Sequence, residues 1–296
     1  MTLTRTAFTA ERALHVYELT RKRLDLPEAD AELIRIGENA LIRSLPYVVR
    51  IARAEDAYAD ACKEVAVSHW LNTSGLRASR TSEHEQPVTV EGHPVTVWRF
   101  LTSTGRKASA PELATLLSQL HRLPSDGRPE DLPEFDLFGR VDARLDHPDA
   151  PADAVAYLRD ELARLRADYA ALEYPSQPTA LHGDAHVQNV MITEHGCVLI
   201  DFERFGIGHP EDDLAVTATE HSVGWHTDDD YRAFCRAYGT DVTEWEGFET
   251  LRRINLLKMT SWLMQNVHNS PDIREEFDTR LATLRDGTAP RPWKPF

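Results

Sequence analysis

A polar loop followed by a hairpin is the feature that most restricts how this chain can fold. The loop, His182-Gly183-Asp184-Ala185-His186-Val187-Gln188-Asn189, carries an acid and a carboxamide five residues apart. Val190-Met191-Ile192 then forms a short apolar run, Glu194-His195-Gly196 is a turn signal, and Cys197-Val198-Leu199-Ile200 is a second apolar run ending at Asp201. Two such runs about a glycine-containing turn read as a β-hairpin. A hairpin returns the chain to its start, so Asp201 is expected beside Asn189 although twelve residues separate them.

An acid, an amide and a second acid gathered in this way suit phosphoryl transfer. A hydroxyl attacking the terminal phosphate of a nucleotide needs an acceptor for its proton, and Asp184 supplies a carboxylate. The phosphate oxygens need a counter-charge. Magnesium keeps an octahedral oxygen shell made largely of phosphates and water, so Asn189 and Asp201 suffice as protein ligands. Five residues allow a tight loop to aim Asp184 and Asn189 at one point.

His182, Asp184, Asn189 and Asp201 match the HxDxxxxN and IDxx signatures, and the chain resembles the aminoglycoside phosphotransferase-like family, a relative of the protein kinases. Gly208-His209-Pro210-Glu211-Asp212-Asp213-Leu214-Ala215 is similar to that family's GxPxxDLA segment. The resemblance implies an α+β, bilobal, protein-kinase-like fold, with a small antiparallel-sheet N-terminal lobe over residues 1–101 and a larger, mainly helical lobe over 102–296. It further implies ATP or GTP as co-substrate with Mg2+, Asp184 as catalytic base, and Asn189 and Asp201 as metal ligands. His182 would brace the catalytic loop, and Asp213 would hold the loop by accepting backbone hydrogen bonds. His186, Gln188 and Glu203 stand between lining the site and local hydrogen bonding.

Composition narrows the setting. Of 296 residues, 42% are hydrophobic and 27% charged, ordinary for a folded globular protein. No apolar run approaches the roughly 20 residues of a membrane span. Met1-Thr2-Leu3-Thr4-Arg5 leads into a charged amphipathic segment unlike a signal peptide, so the cytoplasm is the expected location. Cys62, Cys197 and Cys235 are scattered and read as reduced, mostly buried small residues. The net charge of −15 argues against nucleic acid and anionic membrane as partners. It suits a cationic, hydroxyl-bearing small molecule, and equally suits an acidic soluble protein with no such ligand.

Ala10 to Arg23 reads as an opening amphipathic helix. Leu33–Ile36, Ala40–Arg43 and Tyr47–Ile51 alternate with turn residues and read as three antiparallel strands. Gly37-Glu38-Asn39 sits where kinases place the loop over the nucleotide phosphates, and a plain hairpin turn accounts for Gly37 equally well. Arg50 stands on the third strand where kinases carry Lys. A guanidinium also binds phosphate, through forked contacts rather than as a point charge. In the helix beginning near Glu55, Ala57, Ala61, Val65, Ser68 and Leu71 share one face, and Glu64 is the expected partner of Arg50.

A second hairpin is expected around Glu91-Gly92-His93, its exit strand becoming the hinge that reads the base from Trp98 to Leu101, Phe100 included. Leu113 to Leu120 and Ala152 to Leu172 read as helices of the larger lobe, and Ser125 to Asp136 as a surface connection. Beyond Ala215 the chain is helical again, with Tyr231, Phe234 and Tyr238 on one face and Leu256 to Val267 strongly apolar. By the resemblance this region builds the acceptor pocket. Glu220, His221, Asp228, Asp229, Asp230, Trp262 and Gln265 are its candidates, against helix packing and solvation as the plainer explanation.

The reading that results is a small-molecule kinase of antibiotic or natural-product type. A peptide Ser/Thr kinase stands beside it, as does a non-catalytic nucleotide-binding scaffold, which Arg50 and the single loop glycine suggest.

Overall fold

In the computed structural model, which describes residues 8–37, 39–53, 57–147, 151–264 and 266–295, the chain organises as two units. One takes Met1–Lys107, Pro124–Leu132 and Val190–Glu203, the other Ala108–Leu123, Pro133–Asn189 and Arg204–Phe296. The opening pentapeptide, Glu38, Glu55 and Gln265 lie outside the described residues.

The first unit begins with helix α1 (Ala10–Arg23), capped by the Thr9 hydroxyl, which accepts from Arg12 N. Strands β1 (Glu32–Ile36), β2 (Asn39–Ser44) and β3 (Tyr47–Ala52) follow, then helix α2 (Tyr58–Thr73) and the hairpin β4 (Val88–Val90) and β5 (His93–Arg99). The five strands form one antiparallel sheet in the order β1-β2-β3-β5-β4. Alternation sets its two faces. Ala40 and Ile42 of β2, Val49 and Ile51 of β3, and Val95 and Val97 of β5 are buried with Ala13, Val16 and Tyr17 of α1. The Tyr17 hydroxyl donates to Ser44 Oγ at 2.7 Å, so this polar tip in the core is satisfied.

Helix α2 turns inward a face that shares only Ser68 and Leu71 with the one its apolar spacing predicts. Val65 is half-buried, and the buried side chains are Glu64, Val67, Ser68, Trp70 and Leu71. A glutamate that pairs internally occupies a position that a hydropathy pattern reserves for solvent.

The second unit opens with α3 (Ala110–Leu120), α4 (Val141–Leu145) and α5 (Ala152–Ala170), then strand β6 (Thr179–Leu181). A single 3-10 turn at Val187–Asn189 closes the polar loop. The chain next enters the first unit as the expected hairpin, β7 (Val190–Thr193) and β8 (Gly196–Leu199), with Val190 opposite Leu199. Strand β9 (Gly206–Gly208) returns to pair with β6, and α6 (Pro210–Ser222), α7 (Asp228–Tyr238), α8 (Phe248–Met264) and α9 (Pro271–Asp286) complete the fold. Helix α8 is central, packing on α4, α5, α6 and α9, and the core around it includes Leu158, Leu162, Leu251, Ile254, Leu257 and Phe277.

None of the three cysteines is in a disulfide, and all are only half-buried, a correction to the expectation of mostly buried positions. Among the described residues no helix is long and apolar enough to cross a membrane.

The chain end is fastened by a buried charge cluster on α9. Glu276, fully buried, accepts from Arg280 Nε at 3.0 Å, Arg291 Nη1 at 2.9 Å and Lys294 N at 3.0 Å. Arg280 also donates to the carbonyls of Met259 and Lys294 and lies over the Trp293 ring at 4.7 Å. Removing one member strands the other charge in the core. Glu276→Ala is expected to cost about 3–5 kcal/mol in urea unfolding, and a loss below about 1 kcal/mol, the range of exposed pairs, would show that Arg280 is satisfied without it.

Candidate active site

The polar loop is held at its entrance by one carboxylate. Strand β6 delivers the chain to His182 while its partner β9 delivers the chain to the start of α6, with Leu181 opposite Gly206. This register sets the loop against the first turn of α6, and Asp213 reaches across. Its Oδ2 accepts from His182 N at 2.8 Å and its Oδ1 from Gly183 N at 2.8 Å. The third partner is His121, just past α3, whose Nε2 lies 3.1 Å from Asp213 Oδ2 and whose Nδ1 lies 2.9 Å from the Tyr238 hydroxyl. Burial raises the pKa of Asp213, but the His121 contact and charge, with His182, outweigh it and hold the carboxyl below its ordinary value.

Two glycines make this approach possible. Gly183 has φ +77°, and a Cβ there would strike the Arg204 carbonyl and the Phe135 ring. At Gly208 a Cβ would lie 2.7 Å from Leu181 Cδ1.

Beyond Gly183 the loop folds on itself. His186 N donates to Asp184 O and Asn189 N to His186 O, each at 3.0 Å. Asn189, buried, turns its amide back, so that Nδ2 donates to Asp184 O at 2.8 Å and to the Asp184 carboxylate at 3.1 Å. His182 is fully buried and its Nδ1 accepts from Asp184 N at 3.3 Å. His186 Nε2 lies 3.2 Å from Asp184 Oδ2. Gln188 points to solvent. The structure thus brings His182, Asp184, His186 and Asn189 together within the second unit.

The Asp184 side chain is half open to solvent. Partial burial raises its pKa, yet the His186 contact and charge, then His182 and Lys258, hold it well below the usual carboxylate range. It is therefore ionised throughout the neutral range. Lys258, on α8, is pushed down to about 8 by burial, with Arg204 and Arg144 adding to the fall and Asp184 and Asp212 opposing it. Asp212 is buried and pushed up to about 7, chiefly by burial, while the Tyr174 hydroxyl at 2.9 Å and His209 N restrain the rise and the neighbouring Asp213 adds to it. Sequence reasoning passed over His121, Asp212 and Lys258. Asp212 had a signal, being an acid inside a matched motif; a single lysine in an apolar helix had none.

The first unit carries the expected nucleotide-side residues. Arg50 on β3 forms an ion pair with Glu64 of α2 through Nη1, while Nη2 lies 3.5 Å from Glu203 Oε2. With its amide oxygen facing the guanidinium, Asn39 accepts from Arg50 Nε at 3.1 Å and Nη2 at 2.8 Å. Arginine therefore makes the pairing with Glu64 that was expected of the strand cation. Burial raises Glu64 to about 7; Arg50 lowers it, and the carboxylates of Asp201 and Glu203 raise it further. Asp201 itself is exposed with φ +66°, a left-handed conformation that costs a non-glycine residue roughly 1–3 kcal/mol.

Gly37 N donates to Asn39 O at 3.1 Å, a tight turn, and the space a Cβ would enter is open. At the expected hinge, Trp98 Nε1 donates to Thr96 Oγ1 at 2.8 Å. The N–H groups of Arg99 and Phe100 are engaged by the Arg80 and Pro46 carbonyls, so neither donates to a base from there.

The acceptor candidates have local partners. Thr227 and Asp230 form a capping box at the start of α7, Asp228 lies 2.9 Å from His221 Nε2, Asp229 pairs with Arg232, and Glu220 lies 2.9 Å from His226 Nε2. The Asp run is the first turn of a helix, where acids oppose the positive end of the helix dipole. Trp262 is exposed.

Asp213→Ala is expected to cost about 3–5 kcal/mol at pH 7 and to speed hydrogen exchange at the His182 and Gly183 amides. A depressed carboxyl contributes stability that is complete above the unfolded value of about 4 and fades as pH falls through the lower folded value. The difference from wild type should therefore shrink in acid; a difference independent of pH would separate Asp213 from loop stability.

The solved structures with this fold include amicoumacin kinase hAmiN in complex with AMP-PNP, Ca2+ and Ami, at 12% identity, TM-score 0.75, covering 97% of this chain and 98% of that one. The microcompartment-associated aminopropanol kinase aligns at 14% identity and TM-score 0.71, over 92% and 95% of the two chains. The GDP and kanamycin complex of APH(2")-IIia aligns at 15% identity and TM-score 0.66, over 93% and 99%. Among curated protein sequences nothing matches. At these identities the likeness establishes the protein-kinase-like α+β fold alone. The sequence model of the phosphotransferase enzyme family matches residues 27–251, from the sheet of the first unit through the polar loop to α8, and the chain belongs to that family.

Proposed function

We propose that this protein is a kinase that moves the γ-phosphoryl group of ATP or GTP to a hydroxyl of a small molecule. The observation that carries this reading is Asp184, an exposed carboxylate kept ionised on a loop that Asp213, His121 and Asn189 hold rigid. A base with a low pKa is a weak proton acceptor. Its first contribution is to align the attacking hydroxyl, and it takes the proton as the bond to phosphorus forms, late in a loose transition state.

Arg50, oriented by Glu64 and Asn39, is the cation for the nucleotide phosphates, and Trp98 and Phe100 flank the base. His182 and Asp213 support the loop. Asn189 and Asp201 are the ligands proposed for Mg2+, and the donors fit. The Asn189 Nδ2 is spent on Asp184, which leaves its oxygen to face a cation. In the first unit, Glu64 and Glu203 share the Arg50 guanidinium and Asp201 lies within electrostatic range of Glu64, an excess of negative charge that a cation would relieve. The ion supplies neutralisation of phosphate charge when bound.

The test is a panel of amino-sugar, nucleoside, macrolide and peptide acceptors with ATP and GTP, scored by gain of one phosphoryl mass. Asp184→Ala should lower transfer by roughly 10²–10⁴-fold with nucleotide affinity unchanged; substantial remaining turnover would remove Asp184 from this role. Asp201→Ala should abolish the magnesium-dependent part of the thermal shift produced by nucleotide. Arg50→Lys should bind nucleotide better than Arg50→Ala, and equal affinities would mean that the position never meets phosphate.

A further inference from the structure

Beside Asp184, the second unit gathers cations that the proposed reaction does not use. Lys258 of α8 lies within electrostatic range of Asp184, Asp212, Arg204 and Arg144. Arg144, on α4, donates from Nη1 to the Lys258 carbonyl at 3.2 Å, which fixes its backbone distance to α8. Arg204 donates to Asp136 O at 2.5 Å and lies over the Phe135 ring at 5.6 Å. Lys258 and two arginines that act on it therefore stand beside the ionised Asp184, while burial pushes the other nearby acid, Asp212, up toward its neutral form.

An unmet hydrogen-bond donor marks the same place. Asn255, one turn before Lys258 on α8 and only 4% exposed, accepts from Lys258 Nζ through Oδ1 at a long 3.4 Å. Its Nδ2, on the same amide, meets no hydrogen-bond partner among the described residues. An orphaned buried N–H costs roughly 1–3 kcal/mol and calls for an acceptor. The Lys258 ammonium, in a half-buried residue and with that long contact to Asn255 Oδ1, calls for the same, and an anionic oxygen answers both.

We infer that Lys258 and Asn255, with Arg144 and Arg204 at their flank, form the anion-binding part of the acceptor site, and that the acceptor is an alcohol that also carries a carboxylate or phosphate. This rests on the kinase reading for the chemistry at the hydroxyl and goes beyond it in naming the substrate class. It also reverses what the net charge of −15 suggests, because a cationic acceptor would bring its charge against Lys258. Lys258 acts as a specificity residue here.

The experiment compares four small alcohols as probes: hydroxypropanoate, glycerol phosphate, propanediol and aminopropanol. Each is titrated by calorimetry into the wild-type protein loaded with a non-hydrolysable nucleotide, then assayed for phosphoryl transfer with ATP or GTP. The carboxylate or the phosphate alcohol should bind at least about tenfold more tightly than propanediol and aminopropanol, equivalent to about 1.4 kcal/mol. The stronger of the two identifies the anionic group. Lys258→Met should erase the ranking by weakening the anionic probe, leave nucleotide affinity unchanged, and leave the melting temperature equal or higher, because it removes a cation crowded by two arginines. Lys258→Arg should restore part of the ranking.

Tighter binding of aminopropanol, equal binding of all four, or a ranking that survives Lys258→Met would overturn the inference. A lowered melting temperature in Lys258→Met with the ranking intact would instead assign Lys258 to structural pairing with Asp184 and Asp212. If Lys258→Met does not fold, the wild-type ranking alone decides. Failure to bind nucleotide or to transfer phosphate to any probe would count against the kinase reading, while calorimetry without nucleotide still reports the anion preference.

Discussion

Everything the loop does depends on one buried carboxylate. Asp213 satisfies two consecutive backbone N–H groups, of His182 and Gly183, and takes a third contact from His121. A loop entering a strained turn at Gly183 cannot find those partners in a ladder, so the first turn of α6 provides them. The arrangement has a reciprocal logic. A helix start favours negative charge, and a loop of unpaired N–H groups needs an acceptor, so one side chain serves both elements. Charge placed there adds to what burial does next door: burial pushes Asp212 toward its neutral form, and the charge of Asp213 adds to that rise.

The first unit is organised by an analogous economy around a cation. Arg50 is bound by Glu64, approached by Glu203 and contacted by Asn39. A point-charge ammonium could not hold three partners in one plane, whereas a guanidinium can. The exchange of lysine for arginine therefore enlarges the number of groups that the strand cation fixes. The surplus of acid around it, with Asp201 in a left-handed conformation, is a configuration that a bound cation would relax.

The polar loop and the hairpin after it were legible because their spacing is local. Asp184 and Asn189 lie within one loop, the hairpin after them is marked by apolar runs and a glycine, and Asp213 falls in a short motif of its own. Helix α1, the three-strand meander and the second hairpin were legible for the same reason, since period and turn residues are properties of neighbouring positions. What escaped was non-local. Glu64 counts as polar in any periodicity, so although its pairing with Arg50 was expected, the inward face of α2 was legible only at Ser68 and Leu71. Lys258 and Asn255 sit in a helix whose apolar content advertises a core, and nothing near them in sequence says that a loop acid and two arginines stand opposite. The acids of α7 form the first turn of a helix with local partners, the plainer of the two readings their run in sequence allowed.

That contrast bears on how charge should be read in such a protein. Net charge describes the far field, which decays over about 10 Å at ordinary ionic strength. A ligand in contact with the loop experiences the near field. Around Asp184 that field comes from Lys258, His182 and His186, and from Arg144 and Arg204 acting on Lys258. A net negative charge of −15 with cations gathered beside Asp184 penalises the approach of an anion at long range and rewards it once it meets Lys258. Raising the ionic strength screens the first effect more than the second, because the second operates over contact distances in a poorly solvated interior. Association of an anionic acceptor would then quicken with moderate salt while its dissociation changes little, the opposite of the behaviour of a cationic ligand drawn in by the same surface.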